Sequence, residues 1–128
     1  MRVLLDTATF LWVAIDSPQL SPTASGVVTD ANNEVFLSAV SAWEIAIKHS
    51  LEKLVLPARP EGLVPEIRNT YAIESLPLDE ESTFQIGRLP RLHRDPFDRM
   101  LICQAIVHGL TILTPDELIR QYPVRTLW

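Results

Sequence analysis

Cysteine is nearly missing from this chain of 128 residues: Cys103 stands alone, inside an apolar run. It has no partner for an internal disulfide, and a lone thiol in such a run reads as a buried side chain in a reducing compartment. Glycine is scarce as well. With only four, a glycine-rich phosphate loop is excluded. Positive charge is in the minority, 11 Lys and Arg against 16 Asp and Glu, for a net charge of −5. That balance argues against indiscriminate nucleic-acid binding through a global positive field, and leaves room for a local anion-binding surface. No apolar run reaches the roughly 18 residues of a membrane span. The longest, Met100 to Leu113, is interrupted by Gln104, His108 and Gly109. Asp6 breaks the apolar start, and no small-residue cleavage site follows, so a signal peptide is not expected. Internal repeats, low-complexity tracts and linkers are lacking too. The expectation is a cytoplasmic protein of one domain, residues 1–128.

What is present is a globular composition, 47% hydrophobic and 21% charged, enough for a substantial core. Its patterning alternates between strand and helix. RVLL at 2–5 reads as a buried strand, and 7–15 as a short helix. Ser21-Pro22 supplies a cap and a first-turn proline for a helix to about Asn32. Residues 35–37 form a second strand candidate. Residues 40–51 (VSAWEIAIKHSL) form a helix with Glu44 and Lys48 one turn apart in the favourable order. A connection marked by Pro57 and Pro60 leads to a weaker helix over 61–69, then a strand at 72–76 and a helix at 79–88. Further on come a helix from Pro96 to His108 stopped by Gly109, a strand at 111–113, a short helix over 115–121, and an edge strand at 124–127. Alternation of this kind implies a mostly parallel sheet covered on both faces, with ligands at the carboxyl ends of its strands.

Four acids fall near helix starts in this scheme. In HRDPFDR at 93–99, Asp95 suits a helix cap, Pro96 the first helical position, and Asp98 the third, where an acid can turn back to the cap. Ser41-Ala-Trp-Glu44 and Thr114-Pro-Asp-Glu117 fit the capping-box pattern, the latter placing Asp116 in a first turn, and Asp6 can cap the helix after the first strand. Each acid alone has this structural explanation. Together, at one rim of a sheet, they would repel one another and burial would raise some of their pKa values. A divalent cation removes the conflict. Mg²⁺ takes one or two carboxylates directly and keeps several waters, which the remaining acids can hold. Such a centre suits phosphodiester chemistry. Arg88, Arg91, Arg94 and Arg99, with His93, crowd twelve residues. Arg94 and Arg99 are candidate phosphate contacts, the alternative being a solvated helix start with local ion pairs. His93 reads as a surface residue, and His49 and His108 as structural. Trp12 and Trp43 read as core or interface, with room near them for a partner helix.

LLDTATFLW, SAVSAWEIAIK, LPRLHRDPFDRMLICQA and ILTPDELIRQY, in that order, resemble the VapC toxins of the PIN-domain ribonucleases. The resemblance implies a three-layer α/β/α sandwich around a mostly parallel sheet, with Mg²⁺-dependent endoribonuclease activity in which Mn²⁺ can substitute. It carries an acidic quartet onto Asp6, Glu44, Asp98 and Asp116. Asp6 and Asp98 correspond to direct metal ligands and Glu44 and Asp116 to their supports. Thr7 and Thr114 stand where relatives have hydroxyls near metal or phosphate. It further implies an RNA substrate, a homodimer, and a cognate VapB-type antitoxin that holds the toxin inactive. Many relatives have histidine where this chain has Ala8, and glycine where it has Glu52, differences that bear on subgroup and target.

Two rival functions are weighed beside this one. Haloacid-dehalogenase-type phosphatases begin similarly, with D-x-D-x-T after a first strand. Here the stretch is Asp6-Thr7-Ala8-Thr9, without the second aspartate. A non-catalytic PIN-like module that binds RNA or a protein is the other, and its relatives of that kind lack the acids this chain retains.

Overall fold

The computed structural model describes residues Met1–Trp128, and its centre is a five-stranded sheet. In chain order the elements are β1 (Arg2–Leu5), α1 (Thr7–Ala14), α2 (Pro22–Thr29), β2 (Glu34–Ser38), α3 (Ala39–Ser50), α4 (Pro60–Tyr71) and β3 (Ile73–Leu76). They continue with α5 (Glu80–Gln85), a 3₁₀ turn (Ile86–Arg88), α6 (Pro96–His108), β4 (Thr111–Leu113), α7 (Glu117–Arg120) and β5 (Thr126–Leu127). The strand order is β3-β2-β1-β4-β5 and every pairing is parallel. β1 is the middle strand, with β2 on one side and β4 on the other. The order therefore reverses beside β1, and a crevice opens there at the carboxyl ends.

Both sheet faces are covered, which explains why β1 reads as an unbroken apolar run rather than an alternating one. Val3 and Leu5 pack with Phe10, Val13, Val27 and Val64 of α1, α2 and α4. Leu4, pointing the other way, packs with Ile112, Leu101, Ile102 and Ile119, beneath α6 and α7. Truncating such a side chain (Leu4→Ala) carries a cost of about 2–5 kcal/mol. The expected α/β/α layering is thus present, and Cys103 lies fully buried in the α6 face. No helix is long and apolar enough to cross a membrane.

Gln104, the polar break in the apolar run of α6, has a definite task. Its Oε1 accepts from Ser38 Oγ at 2.5 Å, and its Nε2 donates to the Pro77 carbonyl at 3.1 Å. Fully buried, this amide ties α6 to the β2–α3 junction and so fixes α6 against α3.

Several boundaries differ from the sequence expectation. α2 stops at Thr29 rather than near Asn32, because the chain turns extended at Asp30. Pro60 opens α4 at its first position instead of standing in the connection, and α4 runs two residues beyond 69. Ala72 is the left-handed end of α4 (φ 53°), so β3 starts at Ile73. α5 tightens into the 3₁₀ turn after Gln85, and α7 is confined to 117–120.

Candidate active site

Asp6 directly follows β1 and caps α1, its Oδ1 accepting from the Thr9 amide at 2.7 Å. Thr114, at the end of β4, donates its hydroxyl to the other carboxylate oxygen and accepts from the Asp116 amide at 3.0 Å. The pairing of Leu5 with Leu113 is what sets these two rims side by side. Glu44 lies on α3 with its side chain turned inward. Thr7 donates to Glu44 Oε1 at 2.6 Å and stands 3.0 Å from Ser41 Oγ, while Lys48 pairs with Oε2. Asp98 sits in the first turn of α6. All four acids line one cavity of about 360 Å³, together with Thr7, Ala8, Lys48, Lys53 and Asp95.

The electrostatics follow from that crowding. Burial pushes the Asp6 carboxyl above its ordinary range, opposed by the Thr114 and Thr9 hydrogen bonds and reinforced by Asp116. For Asp98, burial and then the charges of Asp95, Glu44, Asp116 and Asp6 push the carboxyl up to about 7. Lys48 is also raised above its ordinary value, because the Glu44 hydrogen bond favours its positive charge. Two lysines, Lys48 and Lys53, face five carboxylates. The donor set is hard oxygen, the charge excess is negative, and the cavity has room for hydrated ions, so the residues fit a divalent cation such as Mg²⁺ or Mn²⁺. No three His, Cys, Asp or Glu side chains close into a cage on their own.

The capping expectations divide. Asp95 is the cap of α6, with Oδ1 accepting from the amides of Phe97 (2.9 Å) and Asp98 (3.1 Å), and Pro96 takes the first helical position. Asp98 does not turn back to the cap; its carboxylate faces the cavity and His93. The two capping boxes are not formed. Ser38, not Ser41, caps α3, which leaves Ser41 and Glu44 inside the helix and pointed at Thr7. Asp116, not Thr114, caps α7, accepting from the Leu118 amide at 2.8 Å. Ser41 instead meets Thr7, which itself holds Glu44, and Thr114 donates to Asp6.

His93 is not a surface residue. Its side chain is 9% exposed, packed edge-on to Tyr122, with Nδ1 2.8 Å from the phenolic oxygen and Nε2 3.4 Å from Asp98 Oδ2. Tyr122 and Lys53 were not singled out from sequence. Tyr122 gave no signal there, being remote in the chain, whereas Lys53 is an ordinary surface residue type. Arg99 donates Nη1 to the Pro90 carbonyl (2.8 Å) and to Tyr122 Oη (3.0 Å), while Arg94 is exposed with no side-chain partner. Trp12 packs edge-on against Trp128 and lines an apolar hollow of about 240 Å³ with Leu11, Ile15, Leu54 and Val55. Trp43 lies elsewhere, 59% exposed and edge-on to Phe97. His108 is structural, bonded to Asp79 at 2.7 Å.

An all-parallel α/β sheet with carboxylates gathered at its switch point defines the class. The chain belongs to the PIN domain family, whose profile matches residues 3–124. It is 39% identical over 57 residues to Ribonuclease VapC16 of Mycobacterium tuberculosis, a stretch covering 44% of this chain and 40% of that protein. Its fold is similar to VapBC2 from Rickettsia felis bound to a DNA fragment from their promoter (TM-score 0.76, 16% identity, 99% and 98% of the two chains). It is also similar to VapBC-5 from Mycobacterium tuberculosis, a member of the VapBC family of toxin-antitoxin systems (TM-score 0.57, 16% identity, 94% and 89%).

Proposed function

We propose that this chain is a divalent-metal-dependent endoribonuclease, the toxin of a VapBC-type toxin–antitoxin pair. The observation that carries the reading is the convergence of Asp6, Glu44, Asp98 and Asp116, from four separated segments, on one cavity where Asp98 is pushed up to about 7. The likeness to Ribonuclease VapC16 supports the substrate class.

Asp6 and Asp98 are the residues that would hold Mg²⁺ or Mn²⁺, with Glu44 and Asp116 orienting water around it. Such an ion, when bound, acidifies a water for attack and offsets charge on the departing oxygen of the phosphodiester. Thr114 holds the Asp6 carboxylate in place and Thr7 holds Glu44, so one metal ligand and one supporting acid are fixed before RNA arrives. Lys48 moderates the repulsion at Glu44, and even with Lys53 beside it the five acids leave the cavity in negative excess. Arg94, exposed beside the α6 start, is the phosphate contact; such contacts position an RNA without reading its sequence. Arg99 is committed to Pro90 and Tyr122 and supports the loop that presents Arg94.

The apolar hollow beside Trp12 is the seat for a VapB-type antitoxin segment. It shares Leu11 and Leu54 with the acidic cavity, so an apolar helix seated there lies against the acids and can block RNA. A homodimer belongs to the same reading, its support being the family resemblance.

The decisive assay incubates purified chain, stripped of any copurifying partner, with single-stranded and structured RNA in Mg²⁺, in Mn²⁺ and in chelator. Cleavage with either metal and none with chelator is the expected result. RNA retained without metal-dependent cleavage overturns the enzyme and leaves the non-catalytic module.

A further inference from the structure

The phenolic oxygen of Tyr122 is buried and unusually crowded with donors. The amides of Leu92 (3.2 Å) and His93 (3.1 Å) and the Arg99 guanidinium (3.0 Å) all donate to it. A phenol has two acceptor lone pairs and one hydrogen of its own. With three donors already aimed at the oxygen, that hydrogen has one place to go, His93 Nδ1 at 2.8 Å. Nδ1 is then the acceptor of the ring, and Nε2 carries the imidazole hydrogen. Nε2 stands 3.4 Å from Asp98 Oδ2, while Oδ1 of Asp98 has no hydrogen-bond partner in the protein.

We propose that His93 is a positioning residue for Asp98, its ring tautomer set by Tyr122. The imidazole N–H holds one carboxylate oxygen against the loop and leaves the other for the cation. It thereby opposes the repulsion from Asp6, Glu44, Asp95 and Asp116, which line the same cavity. The line of contact runs Arg99, Tyr122, His93, Asp98, and it joins α6 to the 88–93 segment and to the chain after α7. The proposal rests on the metal-dependent reading of the cavity and adds to it a device the quartet does not contain.

The test uses the metal-free full chain with ¹⁵N-labelled histidine at pH 8. Long-range ¹⁵N–¹H correlation should show His93 Nδ1 without hydrogen and Nε2 with it. Tyr122→Phe, with backbone amide spectra confirming the fold, should shift both ring nitrogens toward a tautomer average. In calorimetric titrations with Mn²⁺, His93→Ala should bind roughly tenfold more weakly than the native chain. His93→Gln, which keeps an N–H near the Nε2 position, should recover most of that loss. An Nδ1–H tautomer, ring nitrogens indifferent to Tyr122→Phe, or native Mn²⁺ affinity in His93→Ala overturns the positioning role alone. A native chain that binds no Mn²⁺ overturns the nuclease reading and the positioning role with it.

Discussion

Asp95 and Asp98 are three residues apart and differ in kind. Asp95 holds two amides of its own helix; Asp98 holds none and sits under the repulsion of four other acids. Asp95→Ala should therefore lower stability by about 1 kcal/mol, as loss of a helix cap does, measured by urea unfolding. Asp98→Asn should reduce RNA cleavage at least a hundredfold while the metal-free chain at pH 8 melts at or above the native temperature. A clear drop in melting temperature would instead mark Asp98 as structural. From sequence, the cap at Asp95 and the proline after it were legible, because capping is local chemistry. The role of Ser41 was not, and a place for Thr114 beside the acids came only through the family resemblance. A hydroxyl three residues before an acid fits a capping box equally well whether the helix starts there or earlier, and only tertiary placement decides. The burial of His93 was illegible for the same reason, since its partner Tyr122 comes from after α7.

At the level of elements, two left-handed positions show how far local chemistry reaches. Gly109 ends α6 at φ 66°, where a glycine was expected and where Gly109→Ala should cost about 1 kcal/mol. Glu52, just after α3, has φ 57° with a full side chain, at the place where relatives of the resembled family have glycine. Glu52→Gly should accordingly stabilise the chain by about 1 kcal/mol, read as a raised urea midpoint with unchanged slope. The strands β1, β2 and β4 were legible from their short apolar runs, and the helices α3 and α6 from their period. The ends of α2, α5 and α7 were not, because short helices stop where packing stops and carry no breaker of their own.

Across the whole molecule, the parallel order with β1 in the middle could be inferred from alternation only as a class. The register of β1 on β4, which sets Asp6 beside Thr114, required the structure. Gathering acids at that rim makes stability depend on pH and, if the proposed metal binds there, on cation as well. The Asp98 carboxyl has an ordinary value of 3.8 and rises to about 7 in the fold, so between these values the folded chain keeps a proton that the unfolded chain has lost. Its contribution favours the fold below about pH 4 and is lost as pH rises through about 7; Asp6 acts in the same direction. In the proposed metal-bound state a divalent cation would take the place of that proton. The rise in melting temperature on adding Mn²⁺ should therefore be larger at pH 8 than at pH 5.5, and equal rises at both would overturn this account.

Leu11 and Leu54 form a common wall between the acidic cavity and the apolar hollow beside Trp12. Occupants on its two sides cannot be thermodynamically independent if either shifts those leucines. By reciprocity, whatever factor the cation imposes on the affinity of the hollow's guest, the guest imposes on the cation. Release of inhibition and loading of metal would then be one linked equilibrium, readable as a guest dissociation constant that moves with Mn²⁺ concentration.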